Sequence, residues 1–194
     1  MYLIFDTETT GFPQKSLPAD HPDQARIVQL ACVLLDDKFE ERAVFCTLIK
    51  PDGWRIASHV TAVHGITTDD CDTFGVPIKT ALAAMMSLAE NTELIIAHNI
   101  KFDKQMLEIE LGCCMMTRYT LPDYCTMMAT TPICKLPGKY DGYKWPKLKE
   151  AYEILFPGEK LEGAHDALVD VRACARIFKH LRSPKPESDL LVPA

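Results

Sequence analysis

The chain has no long hydrophobic run, no excess of positive charge and no signal-like N-terminus, and each absence excludes a class of protein. No apolar run reaches the roughly 18 residues of a membrane helix, so we expect no membrane span. No basic segment followed by an apolar core opens the chain, which weighs against a secretory signal. The formal net charge of −6 argues against binding nucleic acid by bulk positive charge.

The cysteines also lack the spacing of a metal-binding motif. Eight are present, but none forms a C-x-x-C pair, so a zinc site has little support. Several lie inside apolar segments such as residues 30–33. Without an export signal, we expect reduced thiols in a cytoplasmic protein rather than disulfides.

Two acids close to the N-terminus are the most informative feature of the chain. An apolar stretch, residues 2–5, leads into the segment DTETTG at residues 6–11. In a strand, Asp6 and Glu8 would point to the same face, where two carboxylates repel each other unless a cation lies between them. Oxygen ligands of this kind suit Mg²⁺ or Mn²⁺. The alternative is that both are solvated charges on an edge strand, because an isolated D-x-E pair is common.

Hydrophobic patterning predicts one α/β domain over residues 1–182. The predicted strands are at residues 2–6, 26–36, 40–50 and 94–97 and near 119–121, and the predicted helices at 58–64, 77–91, 100–111, 126–130, 146–156 and 166–181. Three strands with short connections favour an antiparallel meander, and the later alternation adds parallel strands. We therefore expect a mixed sheet flanked by helices, with residues 183–194 as a disordered tail.

A third acid follows the short strand at 94–97. The segment HNIKFD, residues 98–103, places Asp103 in the first turn of the next predicted helix. Open sheets carry their sites at the carboxyl ends of strands, so Asp103 is a candidate ligand. An acid near a helix N-terminus also simply stabilises the helix, and that interpretation stays open.

The last candidate segment, HDALVD at residues 165–170, opens the final helix. We expect His165 on a loop made mobile by Gly163, where a histidine can accept a proton near neutral pH. The alternative is a surface histidine beside a simple N-cap, and in either case we assign Asp166 as the N-cap of this helix. Asp166 and Asp170 are four residues apart on one helical face, so spacing does not decide which of them binds metal.

These segments together resemble the DnaQ-like exonucleases of the DEDDh group, to which proofreading epsilon subunits of bacterial DNA polymerase III belong. The resemblance rests on DTETTG at 6–11, VHGIT at 63–67, HNIKFD at 98–103 and HDALVD at 165–170, and runs to about residue 181. It implies a ribonuclease H-like five-stranded sheet, two Mg²⁺ or Mn²⁺ ions, and 3′→5′ release of nucleoside 5′-monophosphates. It also favours Asp170 over Asp166 as the fourth acid.

The resemblance assigns roles to individual residues of this chain. The implied metal ligands are Asp6, Glu8, Asp103 and Asp170, the implied general base is His165, and the implied substrate contacts are Thr9, Thr10, Gly11, His64, Ile66, Asn99 and Phe102. For Phe102, packing of the helix on the sheet is an equal alternative. The expected partner is the 3′ end of a single strand, DNA before RNA, with a polymerase or a repair or processing complex as a recruiter. An RNA-trimming exoribonuclease and a non-catalytic docking module are the alternatives.

One further segment is singled out by its composition. Between Lys135 and Lys149 lie five lysines and three aromatic residues against a single acid, Asp141. Basic side chains interleaved with aromatics suit a single strand, through phosphate contacts and base stacking. The alternative is a solvated loop with Trp145 in the core.

Overall fold

The computed structural model describes residues 1–116, 120–139 and 142–183. Five strands form one sheet in the order β3-β2-β1-β4-β5. In chain order these are β1 Tyr2–Thr9, β2 Ile27–Leu35, β3 Glu41–Leu48, β4 Leu94–Ala97 and β5 Asp123–Cys125. The first three pair antiparallel, and β4 adds parallel to β1 and β5 parallel to β4. The predicted mixed sheet is confirmed.

The helices follow the predicted order with one addition. They are α1 Ser58–His64, α2 Thr68–Phe74, α3 Ile78–Ala89, α4 Ile100–Cys114, α5 Thr126–Cys134, α6 Leu148–Leu155 and α7 Ala167–Arg182. The sequence prediction missed α2, although the Thr67 hydroxyl accepts the Asp70 N–H in a capping box that the sequence already contained. Within the described ranges, no helix is both long and apolar enough to cross a membrane.

Four predicted elements were wrong in their bounds by about three residues or more, and one of them is α5, which was predicted to end at residue 130 and ends at Cys134. Strand β1 continues past Asp6 to Thr9, since it pairs with the wholly buried β2 along that length. Helix α4 runs through Gly112 and ends where Met115 adopts a left-handed conformation. Strand β5 begins at Asp123 rather than near 119–121, and residues 117–119 lie outside the described ranges, as do residues 184–194 of the predicted tail.

Hydrophobic residues on the two faces of the sheet form separate cores. On one face, side chains such as Leu3 and Phe5 pack with residues of α3 and α4, including Met85 and Met106. On the other face, Ile4 and its neighbours in the sheet pack against α7, including Phe178. Burial on both sides makes the sheet a rigid platform, and all eight cysteines are free thiols within it or on its helices.

The candidate site lies at one edge of this platform. The carboxyl ends of β1 and β4 meet the start of β2 there, and α4 and α7 both begin nearby. Parallel neighbours that end together expose a crevice into which their following loops project. Three separate parts of the chain therefore deliver polar side chains to one place.

Candidate active site

The end of β1 presents the first two acids. Asp6 and Glu8 are partly buried and alternate with the buried residues Phe5, Thr7 and Thr9. This alternation is the period of a strand, so both carboxylates lie on the same side of the sheet, as the sequence predicted. That side is also the one that carries α7.

Asp103 is brought to the same region by α4 and is almost completely buried, at 3% exposure. The Thr7 N–H and the Thr7 hydroxyl both donate to Asp103 Oδ1, at 3.1 and 2.8 Å. These two bonds fix the Asp103 carboxylate against β1 at Thr7, the residue between Asp6 and Glu8 in the sequence. Sequence reasoning missed this role of Thr7, for which nothing but its position between Asp6 and Glu8 gave a signal.

The loop before α7 supplies the histidine and the last acid. Gly163 and His165 both adopt left-handed backbone conformations, with φ of 71° and 72°. The Asp166 side chain accepts the N–H groups of Leu168 and Val169 at 3.0 and 3.1 Å, which confirms its prediction as the N-cap of α7. His165 therefore lies outside the helix, on the loop where the sequence placed it.

Asp170 differs from Asp166 in having a buried carboxylate oxygen without a hydrogen-bond partner. Its Oδ2 accepts the His165 N–H at 3.2 Å, whereas its Oδ1 is buried without any hydrogen-bond partner. A buried carboxylate oxygen without a donor is costly unless a cation or another ligand meets it. The geometry therefore separates the two acids that spacing alone left equivalent.

Three of these side chains converge closely enough to hold one ion. Glu8, His165 and Asp170 each offer a ligand atom, and the three atoms lie within 4.8 Å of one another. Asp6 and Asp103 are outside this triplet, but their charges act on those of Glu8 and Asp170. The His165 ring therefore lies beside the carboxylates of Glu8 and Asp170.

The electrostatics of the acids reflect their crowding. Burial, reinforced by repulsion from Asp170 and Asp103, raises the pKa of Glu8 from 4.5 to about 8. Burial also raises the pKa of Asp103 to about 7 against the opposing hydrogen bonds from Thr7, and it raises the pKa values of Asp6 and Asp170. Acids that resist ionisation in this way are those that a divalent cation would relieve.

The donor set fits divalent cations such as Mg²⁺ or Mn²⁺. Hard cations of this kind prefer carboxylate oxygens, of which four side chains contribute here. The partnerless Oδ1 of Asp170 is the sharpest sign, because it is buried without compensation in a side chain that converges with Glu8 and His165. The residues present are therefore suited to the metal ions that the sequence resemblance implies.

The predicted substrate contacts after β1 are partly engaged in local hydrogen bonds. The Thr9 hydroxyl donates to the Gly11 carbonyl at 2.8 Å, and the Thr10 hydroxyl accepts the Arg26 N–H at 2.9 Å. The Thr10 hydroxyl can still donate its own proton to a ligand. This segment is consequently an ordered turn at the site edge, held by the start of β2.

His64 joins this segment from the end of α1. Its Nδ1 accepts the Ile66 N–H at 3.1 Å, and its Nε2 is buried without a hydrogen-bond partner. Burial lowers the pKa of His64, and both Thr9 and His165 lie close enough to influence it. The neutral ring therefore carries its proton on Nε2, beside the site.

The two remaining predicted contacts lie at the start of α4. Asn99 precedes the helix in a left-handed conformation, with φ of 69°. The Phe102 ring packs edge-on against Phe12 with centroids 5.9 Å apart, and it also contacts the core between the sheet and α4. Phe12 is 84% exposed, so this aromatic pair reaches from the core to the surface.

Two polar side chains that the sequence analysis did not select hold the site together. Gln29, buried in β2, accepts the Ala167 N–H at 3.0 Å and so fixes the start of α7. His98 bonds both Thr126 and the Pro146 carbonyl. For Gln29 the available signal was a glutamine within an otherwise apolar strand, and for His98 it was its place at the start of the HNIKFD segment.

Comparison with known proteins places most of the chain in one family. The model of the family RNase_T, described as exonuclease, matches residues 3–178. The protein named uncharacterized exonuclease CP81 of Escherichia phage 186 is 31% identical over 189 residues, with 92% of this chain and 87% of that protein covered. DNA polymerase III subunit epsilon of Buchnera aphidicola (strain APS) is 32% identical over 179 residues, covering 91% and 70%.

Solved structures give the same fold. E. coli exonuclease I in complex with a dA16 oligonucleotide superposes with a TM-score of 0.76 at 20% identity, over 96% of this chain and 41% of that one. This chain thus spans about two-fifths of that protein's length, and the likeness shows a ribonuclease H-like fold. Together with the sequence relatives, these matches show that the chain belongs to the DnaQ-like, RNase T family of exonucleases.

Proposed function

We propose that this chain is a divalent-metal-dependent 3′→5′ exonuclease that acts on single-stranded DNA and releases nucleoside 5′-monophosphates. The observation that carries the proposal is the crowding of four acids at one sheet edge, with pKa values raised by burial and mutual repulsion, around the partnerless Oδ1 of Asp170. Such a cluster is unfavourable in an empty site and favourable around cations.

The acids Asp6, Glu8, Asp103 and Asp170 would hold the ions. Phosphodiester hydrolysis is difficult because the phosphate is anionic and the departing oxygen carries negative charge. Bound divalent cations would neutralise the phosphate and stabilise the departing oxygen. Thr7 keeps the Asp103 carboxylate oriented through its two hydrogen bonds. The chain's own part is thus to keep four carboxylates together despite their repulsion.

His165 is the proposed general base. Its ring is exposed on the loop before α7, within 4.8 Å of carboxylate oxygens of Glu8 and Asp170, so it can accept a proton from the attacking water. The bond from its N–H to Asp170 holds the loop toward the acids. His165 could alternatively ligate a cation itself, and the pH–rate profile of a His165 variant separates the two roles.

The choice of DNA follows the relatives. One relative is named as a subunit of DNA polymerase III, and a structural neighbour was solved with dA16. Neither name reports whether this chain itself prefers DNA or RNA, so the assay includes DNA and RNA strands. Recruitment by a polymerase or a repair complex belongs to the same proposal.

The test is a gel assay with 5′-labelled single strands, duplexes and RNA in Mg²⁺ or Mn²⁺. We expect a ladder that shortens from the 3′ end, no reaction in EDTA, and no reaction by Asp6→Asn. Asp170→Asn and Asp166→Asn form a matched pair, because asparagine caps a helix nearly as well as aspartate. Asp170→Asn should be inactive and Asp166→Asn active; equal activity of the two would contradict the assignment.

A further inference from the structure

A basic hairpin stands beside the candidate site. Residues 135–147, named here the lysine hairpin, fold back where the Lys144 N–H donates to the Leu136 carbonyl at 3.0 Å and the Gly138 N–H to the Gly142 carbonyl at 3.2 Å. Pro137 and Tyr143 form the bridge between its arms. Residues 140 and 141 lie outside the described ranges.

The hairpin exposes aromatic side chains that a folded chain normally buries. Tyr143 is 51% exposed and Trp145 is 62% exposed, so the alternative that placed Trp145 in the core is wrong. Exposed tryptophan with nearby tyrosine is a typical base-stacking surface.

The charge around these rings is positive. The exposed lysines Lys135, Lys144 and Lys147 belong to the hairpin, while the chain as a whole carries a net charge of −6. Lys144 pairs with Glu150 at 2.6 Å, but an exposed ion pair of this kind contributes little and can open toward a phosphate. Local positive charge on an acidic protein matches a polyanionic ligand.

A half-buried histidine, His98, fixes the hairpin to the edge of the site. His98 Nε2 donates to the Pro146 carbonyl at 3.0 Å, because a carbonyl can only accept, so Nδ1 accepts the Thr126 hydroxyl at 3.0 Å. Burial lowers the pKa of His98, which keeps the ring neutral for this pair of bonds. Since His98 immediately precedes Asn99 and α4, the hairpin is attached where Asp103 enters the site.

From this placement we propose that the lysine hairpin binds the single strand behind its reacting 3′ end. Trp145 and Tyr143 stack on bases, and the lysines contact phosphates. The inference deepens the proposed exonuclease function, because it names the part of the protein that holds the body of the strand. Its ligand is single-stranded nucleic acid, with DNA and RNA as separate arms of the test.

The first test uses the tryptophans as reporters. The chain has two, so Trp54→Phe leaves Trp145 as the sole tryptophan. Titration with dT12 or rU12 in EDTA, where no cleavage occurs, should quench Trp145 fluorescence on binding. In anisotropy titrations, Trp145→Ala should weaken dT12 binding ~10-fold, which is within the range expected for the loss of one base-stacking interaction. Trp145→Phe, which keeps an aromatic ring, should retain much of the affinity for dT12. Absent quenching together with unchanged affinity would overturn the proposal.

The second test addresses charge with a matched control. Lys147→Glu should lower the slope of log K against log salt by about one or more, the expected effect of losing one phosphate contact. Lys38→Glu makes the same change in the exposed turn between β2 and β3, at the opposite edge of the sheet, and should not alter the slope. Equal slopes for the two variants would count against the hairpin.

The third test separates strand binding from chemistry. The ratio of kcat/KM for a dT20 strand to kcat/KM for the p-nitrophenyl ester of thymidine 5′-monophosphate should fall ~10-fold in Trp145→Ala. An equal loss on both substrates would contradict a strand-binding role. If the parent protein cleaves neither substrate, the exonuclease proposal fails, while the binding titrations in EDTA still decide the hairpin's role.

Discussion

The acid cluster should make the metal-free protein less stable as the pH rises, and bound cations should reverse that trend. The pKa of Glu8 is raised from 4.5 to about 8 and that of Asp103 from 3.8 to about 7. At pH values between the pKa of each acid in the unfolded chain and its pKa in the native state, the native state binds more protons than the unfolded chain. The free energy of unfolding therefore falls with rising pH through this window and levels off above it.

The slope can be worked out near pH 6. There both acids are largely protonated in the native state and ionised in the unfolded chain, a difference of about two protons, to which Asp6 and Asp170 add because burial raises their pKa values as well. Each proton contributes about 1.4 kcal/mol per pH unit, so Glu8 and Asp103 together lower the stability by about 3 kcal/mol per unit. Glu8→Gln should make the slope shallower by about 1.4 kcal/mol per unit, because glutamine does not titrate.

Urea unfolding at pH 5.5, 6.5 and 7.5 in EDTA measures the effect. Glu90→Gln, at an exposed position after α3, is the control and should keep the parent slope. Mg²⁺ or Mn²⁺ at 100 times its dissociation constant should add about 2.7 kcal/mol, with the larger gain at high pH, where fewer protons compete. A metal-free stability that stays level or rises from pH 5.5 to 7.5, or a slope unaffected by Glu8→Gln, would refute the reasoning.

Three further changes test the scaffold of the site. Glu110→Gln should cost about 3 kcal/mol in urea unfolding, because buried Glu110 accepts two bonds from Arg26 and one from the Ile27 N–H. Thr7→Val should lower activity at neutral pH more than Thr7→Ser, since only serine keeps the hydroxyl that stabilises ionised Asp103. Gly75→Ala should destabilise by about 1–3 kcal/mol in thermal unfolding, because its Cβ would come within 2.3 Å of the Cys71 carbonyl.

The sequence predicted the antiparallel meander, the mixed sheet and most helices because burial follows simple periods. Strand β2 is an unbroken apolar run, and α7 has an apolar stripe, and both were found within a residue or two. Helix α2 was missed because only Cys71 in it is buried, so it has no stripe to detect. Its stability comes from capping instead, which a search for periodicity overlooks.

The sequence predicted which residues form the candidate site, but it did not predict the contacts between them. The motifs and the family resemblance selected Asp6, Glu8, Asp103, His165 and Asp170, and the fold brings them to one edge. Spacing alone left Asp166 and Asp170 equivalent, and the physical difference between them needed coordinates, because it depends on which carboxylate caps the helix and which has a partnerless oxygen. Likewise, the bond between His98 and the Pro146 carbonyl, next to the exposed Trp145, joins residues far apart in the sequence, and no local pattern encodes it.

The backbone at His165 offers the most direct separation of function from stability. A non-glycine residue at φ of 72° is strained, and such strain is tolerated where function requires the side chain. His165→Gly and His165→Ala both remove the imidazole, so each should lower kcat by about two to four decades if it is the general base. Only glycine relieves the strain, so His165→Gly should be about 1 kcal/mol more stable than His165→Ala.

Single-turnover rates and urea unfolding of the two variants provide both readouts. His165→Asn is a useful third variant, because asparagine tolerates the left-handed conformation without supplying a base. Equal stabilities of the glycine and alanine variants would show that the loop relaxes and stores no strain. Parent-like rates in all three would remove the imidazole from the chemistry, leaving the four acids as the whole of the site.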